Sequence, residues 1–115
     1  MKKFLVLYLA PVAILDEWRK TDPETRKVAE KKMRGEWQKW MESYAKNVLT
    51  NTAGLGKTKR VTAQGTSDTK NDLMLYSIVE AESDEAAAHM FASHPHLGIP
   101  KASIEIMAIT PLPGM

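Results

Sequence analysis

Short apolar runs along the chain predict four β-strands, one of them weak. Residues 3–9, KFLVLYL, are almost continuously apolar, which is typical of a strand covered on both faces. Residues 73–81, LMLYSIVEA, are rich in β-forming side chains, and residues 103–109, SIEIMAI, alternate between two faces. Residues 58–64, TKRVTAQ, predict a polar edge strand, and the turn-forming residues 65–72 link it to the next strand.

A long amphipathic helix is predicted over residues 23–49. Asp22 can cap its N-terminus, and Pro23 suits the first helical position because it lacks a backbone N–H. Its apolar positions recur at spacings of three and four, which indicates one buried face. They are Val28, Met33, Trp37, Trp40, Met41, Tyr44, Ala45 and Val48.

Two shorter helices complete the predicted elements. Residues 12–20, VAILDEWRK, predict a short helix after the first strand. Residues 83–94 predict a second main helix, because Ser83 is a good N-cap and acidic residues follow it in the first turn. Pro95 is expected to end that helix, since proline disfavours helical backbone at the residue before it.

The order of the main elements, strand–helix–strand–strand–helix–strand, favours a ferredoxin-like α+β fold with one antiparallel four-stranded sheet. Two helices cover only one face of such a sheet. The first strand nevertheless has apolar side chains on both faces, with Phe4, Val6 and Tyr8 opposite Leu5, Leu7 and Leu9. We therefore predict a homodimer in which two sheets stack, forming a dimeric α+β barrel.

Composition restricts the classes of function. The 115 residues suit a single domain spanning residues 1–115, and the net charge of +2 is too small to favour nucleic-acid binding. The chain has no cysteine, which excludes disulfides and thiolate catalysis and fits a cytoplasmic protein. We expect no membrane span and no signal peptide, because the apolar run near the N-terminus is too short for either.

All three histidines lie between residues 89 and 96. The His94-Pro95-His96 spacing would suit a metal on a strand, but a proline at a helix end does not hold both rings on one face, so we expect no metal. Two interpretations remain open. Either His94 and His96 cap the end of a helix, or His94 is a neutral acid or base in a pocket. In the second case the candidate carboxylate partners are Asp16, Asp22, Glu42 and Glu105.

Aromatic residues mark the predicted position of such a pocket. Trp37 and Trp40 lie three residues apart, with Tyr44 on the same helical face, and Tyr8 lies on the first strand. A stripe of this kind is typical of a hydrophobic core, but it also suits a pocket between helix and sheet. We therefore predict that these four residues, with His96, bind a small molecule.

Residues 56–58, Gly-Lys-Thr, imitate the end of a phosphate-binding loop. That motif requires a glycine at position 51, where this chain has Asn51, and it also requires a helix directly afterwards. Here a strand is predicted instead, so the helix N-terminus that would hold a phosphate is missing. We expect neither a nucleotide nor any other cofactor.

Three segments, MKKFLVLY, EWQKW and EAAAHMFASHPHLGIPKASIEIM, resemble the YCII-related proteins. The resemblance extends over nearly the whole chain and implies a ferredoxin-like fold that pairs as a dimeric α+β barrel. In that family, whose biochemical function is largely unassigned, a histidine and an aspartate face a pocket between sheet and helices. Trp40 and the corner formed by His94 and Pro95 match the family pattern.

The chain departs from the family at the residues that would carry chemistry. Its first long helix contains no histidine, and His94 precedes Pro95 where the family has an aspartate. The DGPF motif of a related branch is also missing, since residues 65–72 read GTSDTKND. The histidine–aspartate pair therefore cannot be transferred, and the sequence leaves open whether the protein is an enzyme.

Two classes of function follow from the sequence. In the first, the protein binds or transforms a small molecule between the sheet and the first long helix, with His94 as the catalytic candidate. In the second, it is a non-catalytic dimeric binding or accessory module in which the histidines are structural. A ligand in the pocket would favour the first class, whereas a pocket filled by side chains would favour the second.

Overall fold

The computed structural model contains both strands and helices, and it describes residues 1–114. In chain order the elements are β1 (Lys2–Leu9), α1 (Val12–Arg19), α2 (Pro23–Tyr44), a 3₁₀ turn (Ala45–Asn47), β2 (Val48–Gly54), β3 (Thr58–Thr62), β4 (Gly65–Thr69), β5 (Leu73–Ala81), α3 (Asp84–Met90), a second 3₁₀ turn (Pro95–Gly98) and β6 (Ser103–Ala108). No helix of the described residues combines the length and apolar character needed to cross a membrane.

Four strands form one antiparallel sheet in the order β2-β5-β1-β6. Strand β1 is central, and its Val6 lies opposite Ser77 of β5 on one side and Ile106 of β6 on the other. Every pairing in this sheet is antiparallel. The predicted α+β class with an antiparallel four-stranded sheet is therefore confirmed.

Helices α2 and α3 cover one face of this sheet. Alternate residues of β1 and β5 point towards them, because successive side chains of a strand face opposite sides. The resulting core is apolar and aromatic, and it consists of Phe4, Val6, Tyr8, Trp40, Val79, Ala81, Ala87, Met90 and Phe91. Of the residues in α2, only Trp40 is buried, and Val28 of the predicted apolar face is 72% exposed.

The other face of the sheet lacks a covering layer of helices. Leu5 and Leu7 of β1 lie opposite Ile78 and Tyr76 of β5 on this face, and all four side chains are only half-buried. The molecule measures 52 × 45 × 20 Å and exposes 8437 Å² of surface. A compact monomer of 12.9 kDa would expose about 6,300 Å². The chain thus exposes about a third more surface than expected for its mass.

The strand predicted at residues 58–64 is present as Thr58–Thr62, but it is not an edge of the four-stranded sheet, as the prediction required. That edge is β2, residues 48–54, where the prediction placed the end of a helix and a loop. Residues 58–62 and 65–69 instead form β3 and β4, a separate two-stranded hairpin. Val48 continued the apolar spacing of the predicted helix, but it belongs to β2. It is apolar because it packs against the core there, opposite Val79.

Both main helices end earlier than predicted. Helix α2 ends at Tyr44 rather than at residue 49, and α3 ends at Met90 rather than at residue 94. His94 is extended, with φ −63° and ψ 139°, and Pro95 begins a 3₁₀ turn instead of ending a helix. This agrees with the steric restriction that proline imposes on the preceding residue. The other predicted elements are present, and their ends differ by at most one residue.

Candidate functional site

His94 lies in a cage of aromatic rings between α2 and the sheet, and only 2% of its surface is exposed. The ring of Trp37 is nearest, with centroids 4.4 Å apart and planes at 87°, and Trp40 follows at 4.8 Å. Tyr8 lies at 5.4 Å and Phe91 at 5.6 Å. The edge-to-face contacts are favourable because a positive ring edge meets a negative ring face. Together with His94, we call these residues the aromatic cage.

The hydrogen bonds of His94 define its neutral tautomer. Its Nδ1 accepts a hydrogen bond of 3.0 Å from the backbone N–H of His96, which caps the 3₁₀ turn that begins at Pro95. A neutral imidazole with an accepting Nδ1 carries its proton on Nε2. His94 therefore caps the start of a turn, and not the end of a helix as one of the two interpretations of the sequence had it.

The Nε2 atom of His94 is buried and has no hydrogen-bond partner among the described residues. Most buried polar atoms in native proteins are paired, because an unpaired donor loses its bond to water without replacement. The cage thus contains one free N–H donor, enclosed by apolar rings.

His96 is a second buried histidine, with 1% of its surface exposed. Its Nε2 donates to the backbone carbonyl of Leu9 at 2.9 Å, and its ring meets that of Tyr8 edge-on at 5.5 Å. This bond joins the 3₁₀ turn to the end of β1. His96 therefore contacts the cage through Tyr8 and helps to hold the turn that positions His94.

Burial keeps both imidazoles neutral. Loss of hydration, together with a smaller effect of the neighbouring His96, lowers the pKa of His94 to about 4. Burial also lowers the pKa of His96, although the backbone carbonyls of Leu9 and Ser103 oppose this effect. A histidine with so low a pKa is a weak base at neutral pH, so the chemistry available to His94 is hydrogen-bond donation from Nε2.

Hydrogen bonds also fix two rings of the cage. The hydroxyl of Tyr8 lies 3.0 Å from Ser77 Oγ and 3.5 Å from Thr52 Oγ1, and burial raises the pKa of Tyr8. Trp40 Nε1 donates to the carbonyl of Met90 at 2.7 Å. These bonds orient the two rings and leave neither polar group free.

The predicted binding residues lie together, whereas the predicted carboxylate partners do not. Tyr8, Trp37, Trp40 and His96 surround or adjoin His94, and Tyr44 stacks behind Trp40 at 5.1 Å. None of the four candidate carboxylates forms a hydrogen bond or ion pair with His94. Asp16 pairs with Arg19, Asp22 caps α2, Glu42 is exposed, and Glu105 lies on the open face of the sheet, opposite Leu7.

Three contributors to the site were not predicted from the sequence: Phe91, Ser77 and Thr52. Phe91 lies within the segment EAAAHMFASHPHLGIPKASIEIM, just before the two histidines, and Ser77 is a polar residue in a mostly apolar strand. Both features were visible signals. Thr52 had no signal, because its strand was not predicted.

The predicted pocket between α2 and the sheet is filled by side chains. Tyr8, His94 and His96 are nearly inaccessible, and of the four rings around His94 only Trp37 is half-buried rather than buried. A ligand could reach His94 if the Trp37 side chain moved. Among residues 1–114 no group of three or more His, Asp or Glu side chains is arranged to hold a metal ion.

Comparison with known proteins adds no assignment. No family model matches the chain, and no curated protein is significantly similar to it.

Proposed function

We propose that the protein is a YCII-related homodimer that binds a small, mostly apolar molecule in the aromatic cage. The ligand accepts a hydrogen bond from His94 Nε2 and takes the place of the Trp37 ring. The observation that carries this proposal is the buried N–H of His94, which has no partner within residues 1–114. An unpaired buried donor typically costs about 1–3 kcal/mol, and a ligand oxygen recovers that free energy.

The strand order supports the ferredoxin-like part of the proposal. When the hairpin β3–β4 is set aside, the sheet strands and the two covering helices follow one another as β1, α2, β2, β5, α3 and β6. The two central strands, β1 and β5, are those that precede the helices. This order agrees with the split βαβ arrangement that the resemblance to the YCII-related proteins implies.

The open face of the sheet supports a homodimer. The chain exposes about 2,000 Å² more surface than a compact monomer of its mass, and both the open face and the separate β3–β4 hairpin contribute to this excess. Leu5, Leu7, Tyr76 and Ile78 lie on that face and are half-buried. Stacking two copies face to face would cover these side chains and double the 20 Å thickness of the molecule.

Light scattering on two matched variants tests the dimer. Leu7→Glu places a charge at the centre of the open face and is expected to give a folded monomer. Val28→Glu introduces the same charge on the exposed side of α2 and is expected to remain dimeric. A monomeric wild-type chain at micromolar concentration would contradict the stacking.

Ligand binding is tested with small neutral ketones and amides, in a thermal-shift assay. Acetophenone has a carbonyl acceptor beside an aromatic ring, and ethylbenzene is its control without an acceptor. We expect acetophenone-like compounds to raise the melting temperature with the logarithm of their concentration, and ethylbenzene to do so less.

Two substitutions at His94 identify the atom that binds. Asparagine can keep the acceptor that caps the 3₁₀ turn but has no group at the Nε2 position, whereas glutamine can supply a donor there. Binding should be lost in His94→Asn and partly kept in His94→Gln. If a compound binds His94→Asn as tightly as the wild type, the ligand lies outside the aromatic cage.

The filled cage also favours a second candidate, a non-catalytic dimeric module with structural histidines. A chain that is dimeric, gives no hit with carbonyl compounds and is destabilised by both His94 variants would fit this alternative. Catalysis by His94 stays a prediction, and the low pKa favours binding over base chemistry.

A further inference from the structure

A hollow of about 990 Å³ lies between α1 and the base of the hairpin formed by β3 and β4. No residue of the aromatic cage lines it, so it is separate from the site proposed above. Its size falls in the range of small-molecule sites. Its apolar lining residues are Val12, Leu15, Leu55, Leu73 and Met74.

Hydrogen bonds between backbone groups hold the walls of this hollow in place. The N–H of Leu55 donates to the carbonyl of Met74 at 2.8 Å and ties the loop before β3 to β5. The N–H of Ala10 donates to the carbonyl of Asp72 at 2.9 Å and ties the segment before α1 to the same region. The hollow is therefore formed before any ligand arrives.

The charged side chains around the hollow are mainly basic. Asp68 is the single acidic residue among those that line it, and it pairs with Lys59. Arg19 pairs with Asp16, which does not line the hollow. Lys57 and Lys70 also line the hollow, and within residues 1–114 neither forms an ion pair. An anion between these two lysines would have two unpaired cationic partners.

We propose that this hollow binds an amphiphilic organic anion, a carboxylate with an aliphatic tail. The tail lies against Leu15 and Met74, and the carboxylate lies between Lys57 and Lys70. A nucleotide is a poorer fit, because the Gly56-Lys57-Thr58 segment leads into strand β3 and not into a helix, as a phosphate-binding loop requires.

Isothermal titration calorimetry with decanoate tests this proposal on the full chain. Decyltrimethylammonium has the same tail with a positive head and serves as the matched ligand. We expect decanoate to bind once per chain and the cationic surfactant to bind at least about tenfold more weakly, since the unpaired charges repel it. Raising the salt concentration from about 0.02 M to about 0.3 M should weaken the binding of decanoate, because salt screens the charges of the lysines.

A pair of double variants locates the site. The double variant Lys57→Glu/Lys70→Glu should bind decanoate about tenfold more weakly than the wild type, or weaker still. Lys31→Glu/Lys39→Glu changes the net charge equally at exposed positions of α2 and should have little effect. Circular dichroism checks that both variants are folded. The salt dependence is measured on the wild-type chain, so it tests the proposal even if a variant does not fold.

Three outcomes would overturn the proposal. Decanoate fails to bind, decanoate binds no more tightly than decyltrimethylammonium, or the two double variants weaken decanoate binding equally. His94→Asn should leave decanoate binding unchanged. The hollow is thereby tested independently of the aromatic cage.

Discussion

Acidification should destabilise the protein through His94 well before most of its carboxylates are protonated. The imidazole is enclosed by aromatic rings, and its pKa is lowered from 6.5 to about 4. Between these two pH values the unfolded chain binds a proton at this residue and the folded chain does not. Stability therefore rises with pH in this interval, is fully present above pH 6.5, and is lost as the pH falls towards 4.

The size of the effect follows from the two pKa values. Each pH unit between them corresponds to about 1.4 kcal/mol, so the whole interval removes about 3 kcal/mol of the free energy of unfolding. About 2 kcal/mol of this is lost between pH 7.5 and pH 5. His96 acts in the same direction, because burial lowers its pKa as well. A loss of this size is a large part of the stability of an ordinary small domain.

Urea denaturation at several pH values between 7.5 and 5 measures this loss, in wild type and in His94→Asn. The asparagine can keep the capping acceptor but does not titrate. We expect the difference in free energy of unfolding between the two proteins to shrink by about 2 kcal/mol as the pH falls. His89→Asn, at an exposed position outside the cage, controls for the removal of a histidine from the same part of the chain.

Parallel pH profiles for wild type and His94→Asn would refute this reasoning. They would mean that the His94 ring becomes protonated in the folded chain as readily as in the unfolded one. The aromatic cage would then be open to water, and the argument for a dry donor at Nε2 would fail with it.

Four further substitutions test the contacts that hold the cage and its surroundings, all by urea denaturation at neutral pH. Trp40→Phe removes the bond to the carbonyl of Met90 and leaves that carbonyl unpaired, so we expect a loss of about 1–3 kcal/mol; a neutral effect would mean that water replaces the indole. Tyr8→Phe should lower the free energy of unfolding by about 1 kcal/mol, because it removes the hydrogen bond to Ser77. The double variant with Ser77→Ala should lose less stability than the two single variants added together. Ser83→Ala removes the N-cap of α3 and should cost about 1 kcal/mol, whereas an unchanged unfolding midpoint would show that the cap is dispensable.

Local sequence patterns were sufficient for three sheet strands and for the starts of both main helices. The apolar runs 3–9, 73–81 and 103–109 match β1, β5 and β6, because each carries its own period and β-forming residues. The starts of α2 and α3 were predictable because their caps lie next to them in the chain. The aromatic stripe of α2 likewise indicated which residues would meet the sheet.

Strand β2 could not be predicted from its local sequence. Its sequence, VLTNTAG, has a weak pattern, and it becomes a strand because β5 supplies the backbone partners for its hydrogen bonds. The helical spacing of the residues before it extends to Val48 and misplaces the end of α2. Pairing between segments distant in sequence decides such cases, since a strand has no hydrogen bonds of its own.

The sequence by itself determined that three histidines lie together and that the residue before Pro95 is not helical. Only the tertiary structure decided what His94 does, because its neighbours come from β1, α2 and the segment after α3. Those elements bring four rings around one imidazole, and none of the four candidate carboxylates bonds to it. Burial then lowers its pKa and leaves one N–H without a partner, and neither property can be read from the spacing of residues.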